Sequence, residues 1–545
     1  MATTGGVSRI QRPLDFDSGI VVIGDVNTTS SEGKSVVVGA ASSLGSGNAF
    51  SGIFGSTNQI GTNSSGSFAV GTSIAMGNNC PNSMALGSFV TIGPSNSQCF
   101  AVGLGVSYGT GAIQCFVLGS GINISDNVSS SLFFSTGGSL GHDSSGCLGF
   151  GQNVSIAENT NTGLAFGASA TLAAATTSCI VIGSSTIQTQ SVNATIIGPA
   201  CNIGPNSNDI VAIGNGIDVG GATGNVLGGI AIGNAAGLGS STSNATAIGA
   251  TSFVGDNSQG GVAIGPNARI GSSGGAGSAF GLALGYNASI GDGCNSCIAI
   301  KGIVPGGSFK SCVIGGVMIG ALNEVVLIGT NNTQSYAHNS VVVGGSAVAN
   351  ATASHATVVG YGATSSSVSS LACGTGASID TGSDNAVSLL SQVAQDSLRS
   401  VSIGIQGVVR ATSPDAVAIS GVVDVTSPSS VAVGNGSLAD GNSATALGHA
   451  AAAHAGSLAL GAGAISNTGQ IVMGDCTGFY TATNDFRVKT TIPGPALSDL
   501  VRFNQGDITA NLTTAMYLLY RNSAGTIVSQ PVTVNAVTGA LTVAL

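Results

Sequence analysis

The stretch SSGSFAVGTSIAMGNN, residues 64–79, is followed directly by CPNSMALGSFVTIGPS, residues 80–95. Both contain an apolar triplet, then a glycine, then a second apolar segment that ends five residues after that glycine. Between these segments lie Asn, Ser and Gly, which tolerate the left-handed conformations of tight turns. A repeat of this length indicates a stack of identical structural units, so it decides the fold.

The repeat extends over most of the chain. The glycine that closes each triplet, here called the repeat glycine, recurs every 13 to 16 residues from Gly24 to Gly474, with two longer steps of 19 and 20. Ser135, Lys301, Leu390 and Ser420 replace it once each. Representative repeat glycines are Gly71, Gly87, Gly103, Gly249, Gly265, Gly434, Gly448 and Gly461.

Each repeat is too short to form an independent core. Two strands of about four residues gain stability only when coils stack and pair their backbones with the coils above and below. The sequence therefore predicts an all-β fold, a parallel β-solenoid of about 30 coils over residues 20–474. Residues 386–400 keep the spacing but also show apolar residues at helical intervals, which leaves a short helix open as an alternative.

The two ends of the chain depart from the repeat. Residues 1–19 contain Arg9 and Arg12 in a polar strip and predict an extended docking arm. Residues 475–545 predict a small β-rich C-terminal domain with strands at 516–520, 526–534 and 541–545. Because a solenoid end exposes unpaired backbone, we expect this domain to act as a cap, a trimerisation device or a contact site.

Composition excludes several classes of protein. The chain has 545 residues, of which 87 are glycine, 43% are hydrophobic and only 6% are charged. This is too apolar for a disordered Gly/Ser chain, and the glycines lack the period of collagen. The net charge of −10 and the scattered Lys and Arg predict no nucleic-acid partner. So little charge indicates that much of the surface is buried against the chain itself or against copies of it.

Alternation within the first strand predicts which residues face inward. Large apolar residues dominate one and three positions before the repeat glycine, and we expect Phe134, Phe150 and Phe166 to form a ladder inside the coils. The position between them carries small uncharged residues, as expected of an outer face on which another subunit packs. This predicts a homotrimer with a seam formed by Ala263, Ala283, Ala432, Ala446 and Ala459.

The eleven cysteines favour a reducing compartment. Cys99, Cys115, Cys147 and Cys179 each lie four residues before a repeat-glycine position, and we interpret them as stacked free thiols. The alternatives are a disulfide ladder or a metal site, with Cys294 and Cys297 forming a lone CxxC, whereas the simpler interpretation is that cysteine replaces alanine or serine as a small buried residue. Since no second pair lies nearby, we expect no metal and no cofactor.

A family resemblance follows from two segments, GGVAIGPNARIG (260–271) and NSATALGHAAAAHAGSLALGAGAIS (442–466). They resemble the head repeats of trimeric autotransporter adhesins, the YadA-like β-roll. The resemblance spans roughly residues 20–474 and implies a left-handed parallel roll that forms a homotrimer. Most coils here have sixteen residues rather than the fourteen of that family. The first nineteen residues contain no apolar signal core, and no heptad run or membrane anchor is evident in the sequence.

Together these features predict a structural, non-enzymatic protein. No nucleophile motif or pair of catalytic carboxylates stands out, and the histidines are interpreted as solvated turn residues. We predict a virion surface protein (fibre, spike or minor capsid protein), assembled in the host cytoplasm without membrane insertion. Its termini are expected to bind other virion proteins, and attachment to a host receptor or glycan is left open. The alternative is the head of a trimeric autotransporter-type adhesin at a bacterial cell surface.

Overall fold

A computed structural model describes residues 21–24, 27–29, 33–330, 334–469 and 471–473, together with the strands 516–521, 527–534 and 541–543. The chain divides into two compact units, Met1–Cys476 and Thr477–Leu545. All regular elements in the described residues of the first unit are β-strands in two parallel sheets. The prediction of an all-β parallel solenoid is therefore confirmed. The proposed arm, residues 1–19, lies outside the described residues.

Sheet A contains the first strand of every coil, 30 strands among the described residues. Nine strands have five residues: Val36–Ala40, Gly52–Ser56, Phe68–Thr72, Met84–Ser88, Phe100–Leu104, Phe116–Ser120, Leu132–Thr136, Leu148–Gln152 and Leu164–Ala168. Two have eight residues, Asn208–Asn215 and Leu227–Asn234. The others have three: Val21–Ile23, Ile180–Ile182, Thr195–Ile197, Thr246–Ile248, Val262–Ile264, Leu282–Leu284, Ile298–Ile300, Cys312–Ile314, Val326–Ile328, Val341–Val343, Thr357–Val359, Leu371–Cys373, Val387–Leu389, Val401–Ile403, Val417–Ile419, Val431–Val433, Thr445–Leu447, Leu458–Leu460 and Ile471–Met473.

Sheet B contains the second strand of each coil, 29 strands among the described residues. Two of them, Leu438–Asp440 and Ala452–His454, have three residues. The others have two: Thr28–Thr29, Ser43–Leu44, Gln59–Ile60, Ala75–Met76, Thr91–Ile92, Ser107–Tyr108, Asn123–Ile124, Ser139–Leu140, Ser155–Ile156, Thr171–Leu172, Thr186–Ile187, Asn202–Ile203, Asp218–Val219, Gly237–Leu238, Phe253–Val254, Arg269–Ile270, Ser289–Ile290, Ile303–Val304, Val317–Met318, Gln334–Ser335, Val348–Ala349, Thr364–Ser365, Ser378–Ile379, Gln392–Val393, Val408–Val409, Val422–Val423 and Ile465–Ser466.

Each coil pairs in parallel with its neighbours, and equivalent residues of the repeat lie side by side. Phe150 pairs with Phe166 in sheet A, and Ile92 pairs with Tyr108 in sheet B. A third line of single-residue bridges runs from Ser97 to Asn323. Because every coil repeats this pairing, each row of equivalent residues runs along the stack.

The two sheets share the interior of each coil, and in many coils a small inward residue on one side accompanies a large inward residue on the other. Ala263 in sheet A shares its coil with the large Ile270 of sheet B, whereas Val358 shares its coil with Ser365; all four are fully buried. Phe133 is also fully buried. Its ring occupies the space that a Cβ would need at Gly149 of the next coil.

The interruptions of the repeat do not break the solenoid. Lys301 and Lys310 are exposed, as expected for an outward corner. The alternative of a helix over residues 386–400 is wrong, because this segment forms the strands Val387–Leu389 and Gln392–Val393. The register with neighbouring coils is kept through both strands.

The second unit contains an antiparallel three-stranded sheet. Its strands are Met516–Arg521, Ile527–Val534 and Leu541–Val543, in that order across the sheet. These strands lie close to the positions predicted from the sequence. The segments 522–526 and 535–540, for which the sequence predicts turns, lie outside the described residues.

Candidate functional site: the outer face of sheet A

The repeat glycines follow from close contact between coils. The eight named above have φ angles between 106° and 146°, a region that glycine adopts more readily than other residues. A Cβ at Gly71 would overlap the carbonyl oxygen of Gly87 in the next coil, and a Cβ at Gly87 would overlap that of Gly103. The row of glycines therefore allows adjacent coils to approach at this corner.

The structure corrects the predicted trimer seam. Ala263, Ala283, Ala432, Ala446 and Ala459 have no exposed surface within a single chain, because they point into the coil. The same holds for every residue two positions before the repeat-glycine position from Val37 to Ala459. These residues form the inner row of sheet A, which contains alanine in many coils and larger residues such as Ile53, Phe133 and Ile196 in others.

The predicted core ladder is corrected in the same way. Phe134 and Phe150 are partly exposed and Phe166 is 38% exposed, so these rings lie on the outside of sheet A. They belong to a longer series of rings that follow one another at centroid distances of 4.5–5.5 Å: Phe100, Phe116, Phe134, Phe150 and Phe166. Strand alternation was predicted correctly, but the inward and outward rows were exchanged.

The residues one and three positions before the repeat-glycine position form the outer face of sheet A. In the 28 strands from Val36–Ala40 to Leu458–Leu460, this face contains no charged side chain. Besides Gly52, its only residues that are not apolar or cysteine are the threonines Thr195, Thr246, Thr357 and Thr445. Ile182 is 41% exposed and Ile264 is 37% exposed.

This face is unusual for a sheet in contact with water. The outer sides of antiparallel sheets in soluble proteins are commonly polar, and large contiguous apolar patches mark interaction sites. Sheet B is different in this respect, since most of its outward positions are polar, as at Gln59, Thr91, Asn123 and Asp218, although Ile303, Val317 and Ile465 are exposed apolar exceptions. The alternation that exposes Ile and Phe on sheet A therefore marks that sheet as the candidate interaction surface.

The cysteines named from the sequence lie inside the coils. Cys99, Cys115, Cys147 and Cys179 are buried and free, one per coil in the same row. Burial raises the pKa of the Cys147 and Cys179 thiols. The Cys147 Sγ donates a hydrogen bond to the Thr160 carbonyl at 3.4 Å, as the Ser400 hydroxyl does to the Ser413 carbonyl at 2.8 Å. Cysteine thus takes the place of serine in a row that links adjacent coils.

The CxxC pair is also buried and free. A hydrogen bond between the two thiols raises the pKa of Cys294 and lowers that of Cys297 to about 7. Within the described residues, no group of three or more His, Cys, Asp and Glu side chains is placed to hold a metal ion. Sequence reasoning did not single out Cys312 and Cys373 as surface residues, although both lie on the outer face of sheet A and are partly exposed.

His142 lies in an exposed turn between two carboxylates. Its Nδ1 is 2.8 Å from Asp143 Oδ2, and its Nε2 contacts Glu158 of the next coil. The hydrogen bond with Asp143, with a further contribution from Glu158, raises the pKa of His142 above its ordinary value. The Asn127 amide also donates to Asp143 Oδ1 at 3.0 Å. These contacts tie neighbouring turns together, in keeping with the interpretation of His142 as a turn residue.

The fold and the outer face of sheet A together define the chain as a parallel β-solenoid repeat protein in which one sheet has an uncharged and mainly apolar outer face. Neither a protein-family model nor a curated protein matches the chain. No helix among the described residues is long and apolar enough to cross a membrane.

Proposed function

We propose that this chain is a structural, non-enzymatic protein whose copies associate side by side as a homotrimer at a virion surface. The observation that carries the proposal is the outer face of sheet A, which is apolar and uncharged along 28 successive strands. Exposed apolar surface of this extent is unfavourable in water and is removed by association.

The repeat suits a structural role. Parallel coils add about 4.8 Å each, so thirty strands correspond to roughly 140 Å of stacked sheet. Every coil contributes the same backbone pairing and the same outward row, which makes a regular support for other components. A fibre, spike or minor capsid protein uses such a scaffold, and attachment to a host receptor or glycan would be an added role at one end.

The proposed location rests on the thiols. Ten cysteines are free in the described residues and eight of them are buried inside the coils. Free thiols are typical of proteins assembled in a reducing compartment, and a viral protein folded in the host cytoplasm meets that condition. We propose that residues 1–19 and the C-terminal domain make the contacts with other virion proteins, with the C-terminal domain also capping the solenoid.

Two measurements test the proposal. Analytical ultracentrifugation of the full chain is expected to give three times the chain mass of 52.3 kDa, and a monomer would contradict the assembly. Gold labels at each terminus should decorate intact virus particles in electron micrographs. Labelling of a bacterial surface instead would favour the adhesin alternative, and labelling of neither would overturn the proposed location.

A further inference from the structure

We infer that the copies meet through the outer face of sheet A, parallel and in register, so that each outward residue lies at the same height along the stack as its equivalent in the other copies. This inference rests on the proposed self-association and specifies its surface and geometry. It replaces the alanine row, which lies inside the coils and is closed to a partner.

The occupant of the face is identified by its length. From Val36 to Leu460 the face spans 27 steps between adjacent strands, which at ~4.8 Å each amounts to about 130 Å. A globular partner of ordinary size would cover only a fraction of that length. A second copy of this chain presents the same length, the same spacing between coils and the same apolar chemistry, so it can cover all of it.

The area is sufficient for a stable interface. Two outward columns lie about 7 Å apart on the strand, so the face between them measures roughly 900 Å². Stable protein interfaces bury about 800 Å² per partner. The absence of charge means that no carboxylate or ammonium group has to be desolvated when the faces meet.

Register follows from symmetry. Copies that are related by a rotation axis parallel to the solenoid axis point in the same direction and hold equivalent residues at equal height. A shift along the axis would leave one end of each face uncovered and would produce an open assembly. The stacked rings from Phe100 to Phe166 would then lie beside the same rings of the neighbouring copies.

Two native thiols report on this geometry. Cys312 lies three residues before Gly315, and Cys373 lies one residue before Gly374, four coils further along the same face. Both are partly exposed, whereas the other eight described cysteines are buried. In a parallel in-register assembly, Cys312 lies level with Cys312 of the neighbouring copies and Cys373 lies level with Cys373, within reach of a short cross-linker.

The test is cross-linking of the full-length oligomer with a short bifunctional maleimide, followed by peptide mass spectrometry. Cross-links that join Cys312 to Cys312 and Cys373 to Cys373 are expected, and these can form only between chains. Ile264→Cys and Ile419→Cys add two reporters on the same face. Ser289→Cys, on the outer side of sheet B, is the matched control and should not join to itself.

The outcomes separate this inference from the proposed function. Cross-links between Cys312 and Cys373 would show a staggered or antiparallel arrangement and would overturn the inference. An oligomer in which none of the four reporters on sheet A joins to itself would also overturn it, while leaving self-association intact. A monomer in the ultracentrifuge would overturn both.

Discussion

At the scale of single residues, the solenoid depends on positions where the backbone of one coil touches the next. A repeat glycine such as Gly87 has a positive φ. In addition, the carbonyl oxygen of Gly103 in the next coil occupies the space where a Cβ at Gly87 would lie. Gly362 also has a positive φ, of 65°, but no atom lies within 4 Å of the space that its Cβ would occupy. A comparison of alanine substitutions at Gly87 and Gly362 therefore separates the cost of backbone strain from the cost of steric overlap.

We predict that Gly87→Ala lowers the midpoint of urea unfolding more than Gly362→Ala does. Gly362→Ala should cost about 1 kcal/mol, the usual penalty for a left-handed residue with a Cβ. Gly87→Ala adds displacement of the next coil, and the total should exceed about 3 kcal/mol because packed backbone cannot give way cheaply. Equal effects of the two substitutions would contradict the steric argument.

We predict that Asp143→Asn lowers the pKa of His142. The raised pKa means that the folded state favours the imidazolium; this contribution is fully present below the unfolded pKa of about 6.5 and is lost as pH rises through the folded pKa. Titration of the histidine ring signals by NMR measures the shift. Asp209→Asn is the control, because Asp209 pairs with Asn193 at 2.9 Å as Asp143 pairs with Asn127. No change in Asp143→Asn would refute the assignment.

At the scale of the coil, packing is governed by the small volume between the two sheets. Alanine occupies the inner row of sheet A in 15 of the 28 coils from Val37 to Ala459, and a large aliphatic residue of sheet B accompanies it in most of these. The coil that contains Phe133 differs, since its ring lies against Gly138 of its own coil and Gly149 of the next. The coil after that has Ala165 at the position that corresponds to Gly149.

We predict that Gly149→Ala destabilises the protein by roughly 1–3 kcal/mol, the usual range for overpacking a core. The added methyl group would meet the Phe133 ring, although alanine is the native residue at position 165. Combining Gly149→Ala with Phe133→Leu should recover part of the loss, since the two changes occupy the same space. Urea unfolding of the two single variants and the double variant measures the coupling, and strict additivity would argue against this contact.

At the scale of the whole molecule, the outer face of sheet A is the surface through which we propose that copies associate. Two adjacent residues of one strand differ in exposure, since Ala263 is fully buried and Ile264 is 37% exposed. A carboxylate at position 263 enters the core of the coil, where an unpaired charge is very unfavourable. A carboxylate at position 264 enters only the interface between copies.

We predict that the double variant Ile248→Glu with Ile264→Glu dissociates the oligomer and leaves the coils folded. In a trimer it would place six carboxylates in two neighbouring layers. Ultracentrifugation should report single chains, and circular dichroism should keep its β-sheet signal. Ser289→Glu on sheet B should leave the oligomer unchanged, while Ala263→Glu should unfold the coils around it. A double variant that remains a stable oligomer would show that this face is not the interface.

Much of this architecture could be predicted because it depends on a short repeat in the sequence. The spacing of the repeat glycines predicted the coils, and the Asn, Ser and Gly residues predicted the turns. Most of the second strands end five residues after the repeat glycine, as expected, for example at Ile60, Ile92 and Ile156. The substitutions at Lys301 and Leu390 could be placed in the repeat by spacing alone. These features depend on backbone conformation within one or two coils, which neighbouring residues in the chain specify.

The sequence alone did not decide which side of sheet A faces inward. Alternation of Ile264 with Ala263 is compatible with either arrangement, and the usual preference for burying the larger residue indicated the wrong one. Only the tertiary structure brings the buried Ile270 of sheet B into the same narrow coil and leaves room for alanine on the opposite side. Closure of the coil, a property of the whole turn rather than of either strand, therefore decides that the row of Ala263 faces inward and the row of Ile264 faces outward.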